Sequence, residues 1–177
     1  MKSLNLKINI TSFLEYLFVE KRLAKNTILS YKRDLGSLER FISKQKAKTI
    51  ESATSTDIQD FISSDFKKGL SARTIQRKVS SIRAFFYFLK ERKAIKNNPA
   101  KNIRTPKTKS YLPRTIDPDQ ITRLLRNSGK TFFEIRDKAI LEIFYSCGLR
   151  LSELVGLNLS DISLENSSLR VLGKGNK

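Results

Sequence analysis

Apolar residues recur at helical spacing in four successive runs within the first 96 residues, and short polar turns separate the runs. Each run forms a stripe along one side of a helix, which predicts four amphipathic helices that share one core. The predicted caps are Ser12 with Glu15, Asn26-Thr27, Ser55-Thr56-Asp57 and Ser71. The stripes consist of Ile10, Phe13, Leu14, Leu17 and Phe18; Ile28, Tyr31, Leu35, Leu38 and Ile42; Ile58, Phe61, Ile62 and Phe66; and Ile75, Val79, Ile82, Phe85, Phe86 and Leu89.

The pattern after residue 116 predicts shorter helices and a strand. Asp117-Pro118 is a cap followed by a proline at the first helical position. Residues 134–146 are apolar on nearly every side, so we expect this helix to be buried together with Tyr145 and Cys147. Gly148 is placed to end it in the left-handed conformation, and Gly156 closes a further short helix. Residues 168–172 alternate between apolar and polar side chains like a strand, and residues 173–176 are of the types that form turns. This predicts a hairpin whose second strand would follow Lys177. We therefore interpret the sequence as truncated.

A connecting segment divides the two patterns. All four prolines fall between Pro99 and Pro118, and the residues from Asn98 onward are polar, basic and unsuited to a helix. We therefore predict an N-terminal helical domain at 1–97, a proline-rich linker at 98–113 that separates the domains, and a second domain at 114–177. The first 96 residues should be well folded and the last 30 less so. Without the partners that a whole second domain would supply, its otherwise buried helix would expose apolar surface.

The distribution of charge along the chain indicates what kind of partner the protein binds. The first 110 residues hold 25 basic and 9 acidic side chains, a net charge of +16, whereas residues 111–177 hold 10 and 8. Such an excess on one half indicates a polyanion, with nucleic acid ahead of an anionic membrane surface or a solvated face without a partner. The absence of histidine excludes His-based metal sites and general bases. One cysteine and no secretory leader favour a cytosolic protein.

Two places carry candidate chemistry. Basic residues crowd the first turns of the fourth predicted helix and flank the stripe of the second, and we expect them to contact DNA, although an ordinary solvated basic face is the alternative. Arg150 stands between the two helices that meet at Gly148, where a rigidly held guanidinium suits a phosphate. An ion pair between Arg150 and Glu153 is the competing interpretation. The predicted DNA-binding residues are Arg73, Arg77, Lys78, Arg83, Lys25, Lys32 and Arg33.

Taken in order, these motifs resemble the tyrosine recombinases, most closely the Xer-type enzymes. The resemblance rests on Ser30-Tyr31-x-x-Asp34-Leu35, Ser71-x-x-Thr74-Ile75, Gly148-Leu-Arg150-Leu-Ser-Glu153 and Leu172-Gly-Lys174-Gly-Asn-Lys177. It implies a mainly α fold: a four-helix, SAM-like core-binding domain, then the helical opening of an α+β catalytic domain that ends at a β-hairpin. Residues 116–121 slightly favour a C-like member over a D-like one, and a phage or transposon integrase is the further alternative.

The resemblance also implies a mechanism. In the family a tyrosine attacks the scissile phosphate and forms a 3′-phosphotyrosyl link, with no metal or nucleotide cofactor. Arg150 matches the first catalytic arginine, and Lys174 matches the hairpin lysine that protonates the leaving oxygen, with Lys177 as a competing candidate. The implied role is resolution of chromosome dimers at cell division, on a double-stranded DNA site and with a second recombinase of the same family in a heterotetramer.

Residues 1–177 lack parts of the family pattern, and these differences determine which activity we expect of them. The family's His-x-x-Arg motif and late tyrosine have no counterpart in the sequence, and Tyr31 and Tyr145 lie in apolar surroundings. We therefore expect residues 1–177 to bind DNA without cutting it. The alternatives are a non-catalytic DNA-binding regulator or architectural protein, which leaves Arg150 and Lys174 unexplained, and a basic peripheral membrane protein, which would need a free amphipathic stripe.

Overall fold

The structure is a computed structural model that describes residues 9–46, 49–106, 115–126, 130–171 and 173. Its internal contacts divide the chain into two compact units, residues 1–110 and residues 111–177. We call the first the helical unit and the second the C-terminal unit. None of the described helices has the length and hydropathy required to span a bilayer.

Four α-helices form the helical unit, as the four apolar stripes predict. A short 3-10 turn at Ile50–Ser52, which the sequence analysis did not predict, lies between the second and third. The second and fourth helices are the longest and both pack against their neighbours, so they form the frame of this unit. The four helices are α1 (Ile10–Val19), α2 (Lys25–Lys46), α3 (Ser55–Lys67) and α4 (Ala72–Glu91).

The core of the helical unit contains the stripe residues of all four helices. Phe13 meets the rings of Phe85 and Phe88, with centroids 5.5 and 5.4 Å away, so aromatic side chains join α1 to α4. Two predicted stripe positions are wrong, because Phe18 and Phe66 are 66% and 64% exposed near the ends of their helices. The fully enclosed aliphatic residues are Leu35, Leu38, Ile42, Ile58, Ile75, Val79, Ile82 and Leu89.

The residues after α4 return to the helical unit. Ala100 and Ile103 are buried in its core, and we call the segment Asn98–Pro106 the strap. The strap is not helical, as predicted. Its packing nevertheless differs from the free connector that its prolines suggested, because two small apolar side chains between the prolines give it a buried face. Residues 107–113 of the predicted linker lie outside the described residues.

The C-terminal unit contains three described helices and a small antiparallel hairpin. Ile162 pairs with Leu169 and Ser163 with Ser168, so the partner of the predicted strand lies before it in the sequence. Of the predicted turn at 173–176, only Gly173 is described. The elements are α5 (Pro118–Arg126), α6 (Phe132–Cys147), α7 (Leu151–Val155), a 3-10 turn (Leu159–Asp161), β1 (Ile162–Ser163) and β2 (Ser168–Leu169).

No described residue of the C-terminal unit is buried. The predicted burial of α6 is therefore wrong, and so are the predicted burial of Tyr145, which is 56% exposed, and of Cys147, which is exposed. The described neighbours of α6 are too short to cover a helix of 16 residues on several sides. The mainly α fold that the sequence predicted, with a hairpin near its end, is confirmed.

Candidate nucleic-acid interface

Four of the seven predicted DNA-binding side chains point into solvent on the helical unit. Arg73 is exposed in the first turn of α4 and has no hydrogen bond or ion pair to another described residue. Lys25, Lys32 and Arg33 are exposed on the first half of α2. Arg33 reaches only the carbonyl of Leu29 on its own helix, 3.4 Å from its Nε, so its terminal nitrogens remain available to a phosphate.

A shallow groove beside the start of α1 collects part of this charge. The groove is lined by Lys32, Arg33, Arg40 and Glu39. Gly36 also lines it and contributes no side chain that would fill it. A Cβ added at Gly36 would meet only Arg40 Nη1, at 3.9 Å. Arg40 lies off the apolar stripe of α2, where the sequence leaves it available to solvent or phosphate, but it was not among the seven predicted DNA-binding residues. Its position two helical turns after Arg33 is the signal that could have identified it, because residues seven apart lie on one face.

Arg77 is split between a structural and a solvent-facing role. Its Nη1 forms an ion pair with Asp34, a buried carboxylate on α2, while 43% of the arginine side chain stays exposed. Burial raises the pKa of the Asp34 carboxyl, and the hydrogen bond and charge of Arg77 act in the opposite direction. The ion pair holds one edge of the guanidinium and leaves the other free to bind an anion.

Lys78 faces the interior of the helical unit. Its Nζ lies 2.6 Å from Asp65 Oδ2 on α3 and 3.4 Å from Ser37 Oγ on α2. The same ammonium lies 5.0 Å from the centre of the Phe61 ring. This burial argues against the predicted contact of Lys78 with DNA, because reaching a phosphate would leave Asp65 charged and enclosed.

Arg83 is directed at the strap. Its Nε donates to the carbonyl of Ala100 at 3.2 Å and its Nη2 to the carbonyl of Ile103. These two bonds engage the edge of the guanidinium formed by Nε and Nη2, so that edge does not bind a phosphate while the strap is in place. The structure therefore gives Arg83 a different occupation from the predicted DNA contact.

Arg150 stands at the joint between α6 and α7. Gly148 ends α6 with φ of +61°, in the left-handed region, and its N–H donates to the Phe144 carbonyl at 3.0 Å. Arg150 follows in extended backbone, and its own carbonyl accepts from the N–H of Leu154 at 3.0 Å. The backbone of Arg150 is thus fixed by two helix ends, although 72% of its side chain is exposed.

Glu153 braces this joint. One oxygen of its carboxylate accepts from the Arg150 N–H and the other from Arg150 Nη1, both at 2.8 Å. These hydrogen bonds, the backbone one first, lower the pKa of the Glu153 carboxyl. The ion pair that competed with a phosphate-binding role is therefore present. It engages only one terminal nitrogen, so the rest of the fork remains open to a ligand.

The second predicted catalytic residue, Lys174, lies outside the described residues, as does Lys177. Among the described residues no cluster of carboxylates and cysteine could hold a metal ion.

Comparison with solved structures defines the fold class. The structure superposes on a lambda integrase (residues 75–356) dimer bound to a COC′ core site with a TM-score of 0.68 and 17% identity, covering 93% of this chain and 58% of that one. It superposes on the Tn1549 transposon integrase in complex with circular intermediate DNA with a TM-score of 0.62 and 24% identity, covering 94% and 56%. At these identities the likeness shows an integrase fold.

Sequence comparison then gives the family. Residues 10–93 match the model of the phage integrase N-terminal SAM-like domain, and residues 114–177 match that of the phage integrase family. The tyrosine recombinase XerC of Escherichia coli O157:H7 is 37% identical over 173 residues, which cover 98% of this chain and 58% of that protein. XerC of Escherichia coli K12 DH10B is 36% identical over the same share. The chain belongs to the phage integrase family of tyrosine recombinases, and it spans a little over half the length of these relatives.

Proposed function

We propose that the whole protein is a site-specific tyrosine recombinase that cuts and rejoins DNA through a 3′-phosphotyrosyl intermediate and resolves chromosome dimers at cell division. The observation that carries the proposal is the Arg150 joint. An arginine is fixed between a left-handed helix end and a new helix, braced by Glu153, and exposed. The match to XerC over nearly all of this chain supports the particular role.

Arg150 supplies positive charge where a phosphate gains negative charge. As the nucleophile adds, charge grows on the non-bridging oxygens, and a guanidinium that is already oriented stabilises it without reorganising. Glu153 contributes by holding one edge of the fork, so the arginine does not have to give up side-chain freedom in the transition state. We assign Lys174 the protonation of the leaving 5′-oxygen.

The helical unit supplies binding to the double-stranded recombination site. Arg73 on α4 and the exposed cations of α2 are the groups we assign to it, with Arg77 contributing its free edge. The assembled enzyme would be a heterotetramer with a second recombinase of the same family and would act in the cytoplasm. Residues 1–177 alone would bind DNA without forming a covalent adduct, since the family's His-x-x-Arg motif is not among them.

Replacement of Arg150 by lysine in the whole protein tests the proposal. Lysine keeps the charge but loses the planar fork, so we expect cleavage to fall by about 100-fold or more while binding to the site changes little. Covalent adduct on a nicked recombination site, measured on denaturing gels, reports cleavage, and fluorescence anisotropy reports binding.

Arg136→Lys is the matched control, because Arg136 is an exposed arginine of α6 whose described partners are its neighbour Asp137 and the Phe133 ring, both on its own helix. It should cleave at the wild-type rate. Wild-type cleavage by the Arg150→Lys variant would remove Arg150 from the mechanism. Loss of binding in that variant would show that Arg150 serves affinity and not the chemical step.

A further inference from the structure

The strap is fastened to the helical unit along its whole length. Arg83 holds its middle through the carbonyls of Ala100 and Ile103. At its beginning Ser55 Oγ donates to the Pro99 carbonyl at 2.7 Å. At its far end Gln76 Nε2 donates to the Pro106 carbonyl at 2.8 Å.

Asn98 completes the fastening from the strap's own side. Its Nδ2 donates to the Arg83 carbonyl at 3.2 Å, and its Oδ1 accepts from the Ala100 N–H at 2.8 Å. Arg83 is therefore bound through its backbone and its side chain to the same short segment. Side chains of the helical unit thus donate hydrogen bonds to carbonyls at the start, middle and end of the strap, and two of its apolar residues are buried. A free linker that packed by chance would not have each of these polar groups hydrogen-bonded, so we regard the attachment as specific.

The far end of the strap lies at the basic turns of α4. Gln76 precedes Arg77 and follows Arg73 by three positions, and it holds the last described residue of the segment. The last described attachment of the strap therefore lies beside the residues to which we assign DNA contact. In the sequence, residues 107–114 separate this attachment from Thr115, the first described residue of the C-terminal unit.

We propose that Arg83 and Gln76 are positioning residues that shorten the connection between two DNA-binding units by holding the strap. Each residue of a connection adds at most about 3.6 Å of reach. Release of the strap would move the last described attachment from Pro106 back to before Asn98, which roughly doubles the number of residues up to Thr115. A tether of twice the length lowers the effective concentration of one unit near the other's site by about threefold. The proposal rests on the proposed function in that both units bind one DNA.

Limited trypsin digestion of the 177-residue chain tests the fastening without DNA. Lys101 and Arg104 are exposed cleavage sites within the strap. Arg83→Lys keeps the charge but cannot span two carbonyls, so we expect cleavage after both sites to accelerate at least about fivefold relative to cleavage after Lys67 and Lys68 on α3. Gln76→Ala should accelerate cleavage after Arg104 alone, because it frees only the far end. Arg92→Lys, a charge-conserving change at an exposed pair with Glu20, is the control.

Anisotropy on a duplex carrying the recombination site tests the positioning role. We expect Arg83→Lys to weaken binding by about threefold and Arg92→Lys to leave it unchanged. Faster strap cleavage with unaltered affinity would overturn the proposal and reduce the strap to a structural element. Strap cleavage at the wild-type rate, or acceleration equal to that at Lys67 and Lys68, would overturn it as well. Failure of the wild-type chain to bind DNA would instead refute the proposed function, while the digestion still decides whether Arg83 holds the strap.

Discussion

Arg73 and Lys78 lie five residues apart on α4, and their surroundings differ completely. Arg73 projects into solvent from the first turn, whereas Lys78 lies between α2 and α3 with its ammonium against Asp65. Five residues correspond to about 140° of rotation around a helix, enough to carry a side chain from one face to the other. At the scale of single residues, a positive charge alone does not show whether a side chain binds DNA or forms an internal ion pair. That depends on which helices pack against it.

Substitution of these two residues should therefore separate stability from binding. Lys78→Met leaves Asp65 buried without its main partner, and we expect the free energy of unfolding to fall by about 3 kcal/mol. Arg73→Gln should change it by less than about 0.5 kcal/mol and should weaken DNA binding. Urea denaturation followed by circular dichroism, combined with anisotropy on a labelled duplex, measures both quantities. A Lys78→Met variant of normal stability and reduced affinity would restore Lys78 to the DNA interface.

The sequence could not have made this distinction. The carboxylates that hold Arg77 and Lys78 are Asp34 and Asp65, which belong to other helices and become neighbours only when the bundle packs. Periodicity placed Lys78 off the apolar stripe, and the structure places it at the edge of that stripe, where the long methylene chain packs and the ammonium needs a partner. Arg73 is exposed, as its place off the apolar stripe of α4 predicts.

At the scale of elements, the cap of α4 was predictable, whereas the predicted cap of α2 is wrong, because that helix already begins at Lys25, before Asn26-Thr27. Ser71 accepts from the Thr74 N–H as expected. At the start of α1, however, the pattern of Ser12 and Glu15 competes with that of Asn9 and Ser12, and the structure contains the earlier box. Thr54 similarly replaces Ser55 as the cap of α3. Local sequence allows both registers, and packing of Phe13 and Leu17 into the core selects the one observed.

Gly148 permits a test of the helix end that precedes Arg150. A Cβ at this position would meet no atom within 4 Å, so the cost of alanine comes from its φ of +61° alone. We expect Gly148→Ala to cost about 1 kcal/mol and to raise the hydrogen-exchange rates of the last amides of α6 by about fivefold. Hydrogen exchange with peptide-level mass spectrometry measures this.

Gly156→Ala is the matched control for that experiment. Gly156 closes α7 with φ of −87°, which alanine adopts freely, and its added Cβ would lie 3.4 Å from the Ser152 carbonyl oxygen. It should leave the exchange rates of α6 unaltered. Equal effects at the two glycines would mean that the left-handed conformation of Gly148 is not what ends α6.

At the scale of the whole molecule, the division of charge can be read from the sequence alone. The net charge of the first 110 residues does not depend on which side chains pair with each other. It therefore remains +16 although Lys78 and Arg83 make internal contacts. The attachment of the strap to the helical unit could not be predicted from the sequence, either from composition or from local pattern. Its prolines and lysines are typical of a free linker, and its attachment depends on Arg83, Gln76 and Ser55, which lie 15 to 44 residues from the strap atoms they contact.

Salt dependence of DNA binding tests whether this charge acts at a defined place. If phosphates are neutralised by about five exposed cations of α2 and α4, log Kobs should fall with log salt concentration with a slope of about −4.5. The double variant Lys32→Gln, Arg33→Gln should reduce the magnitude of the slope by about 2, since each phosphate contact contributes about 0.9. The double variant Lys90→Gln, Lys96→Gln makes the same change in net charge at and beyond the far end of α4, where both lysines are exposed. It should leave the slope unaltered, because cations that do not touch the backbone release no condensed counterions. Equal reductions in both variants would mean that the chain binds through its total charge and that α2 has no particular place at the interface.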